Sequence, residues 1–115
     1  MLRNVGEIVS SSVRVTDSAA RYGGEEMAIV FTQTSALGVS EVTERLRVRL
    51  AEFTHVFAER SVQCTASFGI SVCDGRGAPP SATEIVERAD RALYRAKHTG
   101  RNKVVVWTPE LDVPA

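Results

Sequence analysis

Apolar residues recur at helical spacing in three stretches of the chain. Leu2, Val5, Ile8 and Val9 predict a short amphipathic helix that ends near residues 10–13. A second helix is predicted over residues 40–57 by an apolar stripe among Glu and Arg: Val42, Leu46, Leu50, Phe53 and Phe57. A third begins at the capping box Ser81-Ala82-Thr83-Glu84 and ends at Gly100, with a mainly small and aliphatic face: Ile85, Val86, Ala89, Ala92, Leu93 and Ala96.

Strands are predicted between these helices. Residues 18–22 and 27–31 flank a glycine pair, residues 62–72 alternate strictly between apolar and polar, and residues 103–107 form a last apolar run. The resulting order α-ββ-α-β-α-β favours an α+β fold in which an antiparallel sheet carries packed helices. The sequence has no internal repeat and no linker, and the segment after Pro109 is predicted to be loose.

Composition narrows the classes of function. The chain of 115 residues has 14 Lys and Arg against 14 Asp and Glu, and no polybasic patch, which argues against nucleic acid as a partner. It has no apolar run of membrane-spanning length and no signal-peptide pattern, so a cytoplasmic location is predicted. Cys64 and Cys73 fall nine positions apart in one predicted strand, too far to bridge each other.

The segment RYGGEEM, from Arg21 to Met27, carries the most chemical information. Gly23 and Gly24 suit a two-residue hairpin turn, and they would let a ligand approach the backbone. The carboxylates of Glu25 and Glu26 follow at once, and Mg²⁺ prefers oxygen ligands that it shares with substrate phosphates. Taken alone, the segment fits a solvent-exposed turn with two solubilising glutamates better than it fits a metal site.

Two other stretches have a functional and a structural interpretation. Arg14-Val15-Thr16-Asp17 reads RVTD, and residues 89–102 read ADRALYRAKHTGRN. Arg14 and Asp17 are compatible with an ordinary exposed ion pair. Lys97 and Arg101 suit the end of a helix, where the macrodipole favours cations.

Together the three stretches resemble the GGDEF family, the diguanylate cyclases. RYGGEEM is similar to the signature GG(D/E)EF, RVTD to the RxxD inhibitory motif, and residues 89–102 to the C-terminal ADxALYxAKxxGRN run. The resemblance covers Leu2 to Trp107. It implies a palm-like α+β fold of the ferredoxin and nucleotidyl-cyclase type, and a chain that starts after the family's first central strand and guanine-reading helix. Residues 1–108 would then be a partial GGDEF domain and residues 109–115 a tail.

The resemblance also implies an activity, the condensation of two GTP into cyclic di-GMP with release of pyrophosphate. Glu25 and Glu26 would be catalytic and would bind Mg²⁺ or Mn²⁺, while Gly23 and Gly24 would lie against the nucleotide. These roles follow from the positions of the four residues in the signature motif.

Further roles come from the same resemblance. Lys97 and Arg101 would hold the triphosphate of GTP, and Arg14, Asp17 and Arg45 would bind cyclic di-GMP at an inhibitory site. The family implies a homodimer for catalysis and an upstream sensory or regulatory domain in a bacterial, cytoplasmic signalling protein, whose parent chain is in some cases tethered to a membrane.

Other readings remain open. Met27 stands where the signature has Phe, which favours an inactive GGDEF module that acts as a cyclic di-GMP receptor or a GTP-sensing domain. An unrelated α+β interaction domain with coincidental motifs is a third reading. If the 115 residues act alone, we expect no turnover, because a metal ligand and the guanine-reading residues would be absent.

Overall fold

The computed structural model describes residues 2–12, 18–23, 26–31, 35–73, 75 and 78–112. Within them the helices are α1 Leu2–Ser12, α2 Ala36–Glu52 and α3 Ala82–His98, and a 3-10 helix spans Pro109–Asp112. The strands are β1 Ser18–Gly23, β2 Glu26–Val30, β3 Thr54–Phe57, β4 Arg60–Gln63, β5 Phe68–Ile70 and β6 Val104–Val106. This mixture of helices and strands is the α+β class that the sequence predicts.

The chain divides into two compact units, Met1–Cys64 and Thr65–Ala115. In the first unit α1 contacts α2. Ile8 and Val9 of α1 are buried, as the apolar spacing predicts. Leu46 and Leu50 of α2 are also buried, and the Arg49 guanidinium donates a 3.3 Å hydrogen bond to Oγ of Ser11 in α1.

Helix α2 differs in its bounds from the predicted helix over residues 40–57. It begins earlier because Ser35 caps it, with the Ser35 hydroxyl accepting a 3.0 Å hydrogen bond from the backbone N–H of Gly38. It ends at Glu52 because Phe53 is extended, at φ −74° and ψ 132°. The prediction that the helix reaches Phe57 is therefore wrong.

Residues 54–57 instead form β3, which pairs antiparallel with β4. Alternation within β3 agrees with a strand, because His55 is fully buried while Val56 is 66% exposed. The spacing of Phe53 and Phe57 does not distinguish a helix from a strand, because positions four apart lie on one face in either structure.

The predicted strand over residues 62–72 is wrong as one element. Its first part lies in β4 and its centre in β5, and residues 64–67 between them have no regular structure. The two strands have different partners, since β4 pairs with β3 and β5 pairs with β6. Cys64 and Cys73 are both free thiols, as predicted, although they do not lie in one continuous strand.

The second unit is a β5–α3–β6 arrangement. Strands β5 and β6 pair in parallel, from Phe68 opposite Val104 to Ile70 opposite Val106. The predicted antiparallel pairing therefore applies to β1–β2 and β3–β4 but not here, because a helix connects β5 to β6 and returns the chain in the same direction. Ala92 and Ala96 on the inner face of α3 are completely buried.

The end of the described chain contacts α3. The Trp107 indole N–H and the Arg91 guanidinium each donate a 3.2 Å hydrogen bond to Oδ1 of Asp112. The guanidinium of Arg88 lies 4.3 Å from the centroid of the Trp107 ring. Pro109–Asp112 thus forms a short helix where the sequence predicts a loose tail, and residues 113–115 lie outside the described part.

None of the helices in the part of the chain that the structure describes is both long enough and apolar enough to cross a membrane.

Candidate functional site

Strands β1 and β2 position Gly23 and Glu26 of the RYGGEEM segment. They pair antiparallel, with Ala20 opposite Ala28, Arg21 opposite Met27, and Gly23 opposite Glu26, and the register shifts between Arg21 and Gly23. The two predicted strands are thereby confirmed. Gly23 ends β1 and Glu26 begins β2, so two site residues face each other across the pair.

The remaining residues of the signature are only partly described. Gly24 and Glu25 lie outside the described residues, and so does the side chain of Met27, so the turn and the first carboxylate stay predictions. Glu26 is exposed, which leaves its carboxylate accessible to a ligand in solution.

The metal that the motif implies can be tested against these groups. Within the described ranges, no cluster of three or more His, Cys, Asp or Glu side chains could form a closed metal site. Mg²⁺ in nucleotide enzymes usually takes one or two carboxylates, completing its shell with water and substrate phosphates. An exposed glutamate beside a second one in sequence fits that open type of site.

A second group of site residues lies at the C-terminal end of α3. The last turn is basic, with Arg95, Lys97 and His98, and it places positive charge where the helix macrodipole is negative. The side chain of Lys97 is half-buried and that of Arg101 is exposed. Both residues stand on the same helix end, as the sequence predicts.

The loop that carries Arg101 has an unusual backbone. Gly100, Arg101 and Asn102 have φ angles of 114°, 59° and 48°, three consecutive left-handed residues of which two have side chains. Left-handed backbone costs a residue such as arginine about 1–2 kcal/mol, whereas asparagine adopts it more readily, and such strain concentrates at functional sites. The sequence predicts the end of the helix at Gly100 but not this continuation.

Hydrogen bonds hold the loop against the helix. The backbone N–H of Arg101 donates to the carbonyl oxygen of Ala96 over 3.0 Å, which is a Schellman-type closure of α3. The hydroxyl of Thr99 donates to the carbonyl of Arg95 over 2.6 Å, and the Lys103 ammonium donates to the carbonyl of Thr99. Two of the last carbonyls of α3, those of Arg95 and Ala96, thereby have donors, and the backbone at Arg101 is tied to the helix.

Gly69 in β5 supports this arrangement and was not predicted. A Cβ at Gly69 would overlap the carbonyl oxygen of Ala89 and the backbone nitrogen of Leu93, and it would lie 2.8 Å from Cα of Leu93. The strand therefore packs on the backbone of α3 without a side chain between them. A glycine inside an alternating strand pattern is the sequence signal that could have found it.

The predicted product-binding residues are described only in part. Arg14 and Asp17 lie outside the described residues. Arg45 is exposed on α2, where it lines an open depression of about 520 Å³ with Glu44 and other residues of the same helix. A hydrogen bond from the Arg47 guanidinium lowers the pKa of Glu44.

The predicted site is therefore described as two separate groups. Gly23 and Glu26 are partners in the β1–β2 pair of the first unit, and Lys97 and Arg101 share the end of α3 in the second. The class that these features define is an α+β domain with an exposed glutamate at the start of β2 and a basic end of α3.

Comparison with known proteins gives the family. The family "Diguanylate cyclase, GGDEF domain" matches residues 1–103. Diguanylate cyclase A of Treponema denticola is 40% identical over 106 residues, covering 92% of this chain and 28% of that protein. Response regulator PleD of Caulobacter vibrioides is 35% identical over 107 residues, covering 91% of this chain and 23% of that protein.

Solved structures agree with the sequence matches. The GGDEF domain of DgcB from Caulobacter crescentus, in complex with c-di-GMP, superposes with a TM-score of 0.82 and 31% identity, covering 91% of this chain and 61% of that one. The active GGEEF domain of a diguanylate cyclase from Vibrio cholerae has a TM-score of 0.79 and 30% identity, covering 93% of this chain and 66% of that one.

The chain belongs to the GGDEF family of diguanylate cyclase domains. It spans less than a third of the length of these two curated relatives, 28% and 23%. The family and the palm-like α+β fold predicted from the three motifs are confirmed.

Proposed function

We propose that the chain is the GTP-binding and reacting part of a diguanylate cyclase, which condenses two GTP into cyclic di-GMP. The 3′-hydroxyl of each GTP attacks the α-phosphate of the other. Two phosphodiester bonds form, two phosphoanhydride bonds break, and two pyrophosphates leave. The observation that carries the proposal is the β1–β2 pair with Gly23 opposite an exposed Glu26, in a chain of the GGDEF family.

Glu25 and Glu26 would hold Mg²⁺ or Mn²⁺ in this proposal. The bound cation would offset the charge that develops on the α-phosphate and favour ionisation of the 3′-hydroxyl. Glu26 supports the assignment because it is exposed at the first position of β2. Gly23 and Gly24 would let the nucleotide approach the backbone, since neither presents a side chain.

Lys97 and Arg101 would bind the β- and γ-phosphates. An ammonium and a guanidinium form charge-assisted hydrogen bonds to phosphate oxygens, about twice as strong as neutral ones. The left-handed loop after α3 supports this role. Arg101 is exposed, and its backbone is strained, a combination that is typical of functional positions.

Arg14, Asp17 and Arg45 would bind the product and inhibit the enzyme. The motif order supports this role, and the related GGDEF domain of DgcB is in complex with c-di-GMP. Catalysis would take place in a homodimer, because each domain supplies one GTP to a shared reaction. An upstream domain would regulate it, and the protein would act in the cytoplasm.

A second candidate is a receptor for cyclic di-GMP or a sensor of GTP that has no turnover. Met27 in place of the family's Phe favours it, because Met fills the space of an aromatic ring with looser geometry. The two candidates share the fold and the binding residues, and turnover distinguishes them.

The deciding experiment incubates the full-length protein with GTP and Mg²⁺ and measures cyclic di-GMP by mass spectrometry. We expect product from the wild type and a loss of at least about 100-fold in Glu25→Gln or Glu26→Gln, because the cation would lose a charged ligand. Glu59→Gln is the matched control, an exposed glutamate in the β3–β4 turn that should keep full activity.

Other outcomes separate the candidates. Cyclic di-GMP or GTP binding by calorimetry without any product would favour the receptor, and absence of both binding and product would refute both candidates. Added cyclic di-GMP should inhibit the wild type, and Arg14→Ala should relieve that inhibition while leaving the uninhibited rate unchanged.

A further inference from the structure

Both peptide groups that flank Arg101 have a defined hydrogen-bond partner. The N–H of Arg101 itself donates to the carbonyl of Ala96, at the end of α3, over 3.0 Å. The N–H of Asn102 donates to the side-chain Oγ of Ser67 over 3.2 Å. The direction in which the Arg101 side chain leaves the loop is therefore set from two sides, by the helix and by Ser67.

Ser67 is itself held in place. It directly precedes β5, where the backbone N–H of Phe68 donates to the carbonyl of Lys103 over 2.9 Å and the parallel ladder with β6 begins. Two residues later, Gly69 packs on the backbone of α3. The half-buried Ser67 hydroxyl thus has a fixed position relative to the helix that carries Lys97.

The Ser67 hydroxyl stands where the β5–β6 ladder offers no backbone acceptor. The β5–β6 ladder starts at Phe68 opposite Val104, so the N–H of Asn102 lies before the first ladder pair. Its left-handed backbone, with φ 48°, belongs to neither the helix nor the strand. The Ser67 hydroxyl supplies an acceptor where regular structure supplies none.

We infer that Ser67 is a positioning residue for nucleotide binding: its hydroxyl fixes the peptide after Arg101 and so aims the guanidinium at the triphosphate. The inference rests on the proposed function, in which Arg101 binds phosphate. Ser67 does not touch the nucleotide in this role, and its effect passes through Asn102 and Arg101.

The test compares three variants. Ser67→Ala removes the acceptor, and Ser67→Thr keeps a hydroxyl. Ser71→Ala is the matched control, because the Ser71 hydroxyl also makes a hydrogen bond to the backbone of the second unit, donating to the carbonyl of Ile85 near the start of α3 over 2.7 Å. If Ser67 had only a structural role, Ser67→Ala and Ser71→Ala should have similar affinities for GTP.

The first readout needs no nucleotide. The 115 residues contain two asparagines, Asn4 and Asn102, so selective ¹⁵N-asparagine labelling simplifies the amide spectrum, and Asn4 in α1 is an internal reference. We expect the amide of Asn102 to exchange about tenfold faster with solvent in Ser67→Ala, and at the wild-type rate in the other two variants.

The second readout is GTP binding in the presence of Mg²⁺. We expect about five- to tenfold weaker binding in Ser67→Ala, and in active protein a higher KM for GTP with little change in kcat, because a mispositioned guanidinium weakens ground-state and transition-state contacts alike. Ser67→Thr and Ser71→Ala should stay near the wild type. In an Arg101→Ala background, Ser67→Ala should have no further effect on binding.

The outcomes distinguish a failure of the Ser67 role from a failure of the proposed function on which it rests. Suppose that the wild type binds GTP: equal GTP affinities of Ser67→Ala and Ser71→Ala would then overturn the role of Ser67 alone. An unchanged exchange rate of the Asn102 amide in Ser67→Ala would do the same. Absence of GTP binding in the wild type would overturn the proposed function and, with it, this inference.

Discussion

Gly69 illustrates how a single missing side chain decides the packing of a strand on a helix. The backbone of β5 approaches α3 so closely that a methyl group would meet the backbone of both Ala89 and Leu93. Backbone atoms in a helix cannot move aside as the end of a flexible side chain can. Substitution at Gly69 must therefore shift the strand or the helix.

We predict that Gly69→Ala lowers the free energy of unfolding by about 1–3 kcal/mol, the range typical of overpacking in a filled core. Urea denaturation followed by circular dichroism measures the change. Because α3 carries Lys97 and leads into the loop of Arg101, GTP binding should weaken in the same variant.

Gly6→Ala provides the control for this prediction. Nothing lies within 4 Å of a Cβ built at Gly6, and the residue stands inside α1, where alanine is the better helix former. Gly6→Ala should therefore leave stability unchanged or raise it. Equal stability of Gly69→Ala and the wild type would contradict the close contact between β5 and α3.

At the scale of elements, α3 connects stability with the candidate site. Ser81 caps its N-terminus, with the hydroxyl accepting a 3.1 Å hydrogen bond from the backbone N–H of Glu84. This is the serine half of the capping box predicted from the sequence. The Glu84 carboxylate accepts a 2.8 Å hydrogen bond from the Arg88 guanidinium. Capping at one end and the basic loop at the other fix the helix that carries Lys97.

We predict that Ser81→Ala costs about 1 kcal/mol of unfolding free energy, because a backbone donor of the first turn loses its acceptor. Ser81→Asp should retain most of the stability, since aspartate is also a good N-cap. Thr83→Ala, at an exposed position inside the same turn, is the control and should change stability little. A chemical denaturation series on the three variants measures all of these effects.

Ser35 gives an independent comparison for the cap. It caps α2 with nearly the same backbone angles, φ −69° and ψ 161° against φ −68° and ψ 161° at Ser81. Ser35→Ala should therefore cost a similar amount. A loss confined to one of the two serines would show that the cap alone does not account for the effect.

At the scale of the whole molecule, the proposed reaction sets a condition on assembly. Two GTP molecules react with each other, and the sequence has one signature motif. A symmetric dimer would bring two such sites together. The specific activity of the full-length protein should then rise with protein concentration until dimerisation is complete.

Mixing experiments sharpen this prediction. If wild-type and Glu25→Gln subunits exchange freely and both halves of a dimer must be competent, activity follows the square of the wild-type fraction, about a quarter at an equal mixture. A linear fall to about one half would indicate that each subunit works alone. Sedimentation of the same mixtures verifies that dimers are present.

Sequence and structure contributed differently to this picture. The β1 and β2 strands, the cap at Ser81 and the end of α3 near Gly100 depend on neighbours in sequence, so local patterns predicted them. The three motifs also identified the family, because the order and spacing of chemically unusual residues survive without coordinates. The same motifs predict the roles of Glu26, Lys97 and Arg101, and those roles stay predictions.

Tertiary structure decided the rest, because the missing information lies in partners that are distant in sequence. The alternation over residues 62–72 does not reveal that β4 pairs with β3 while β5 pairs in parallel with β6. The link from Asn102 to Ser67 spans 35 residues, and the contact of Gly69 with α3 exists only once strand and helix pack together. Local patterns thus predicted the three helices, the β1–β2 pair and the charged residues, whereas packing determined which strands pair and how the loop around Arg101 is held.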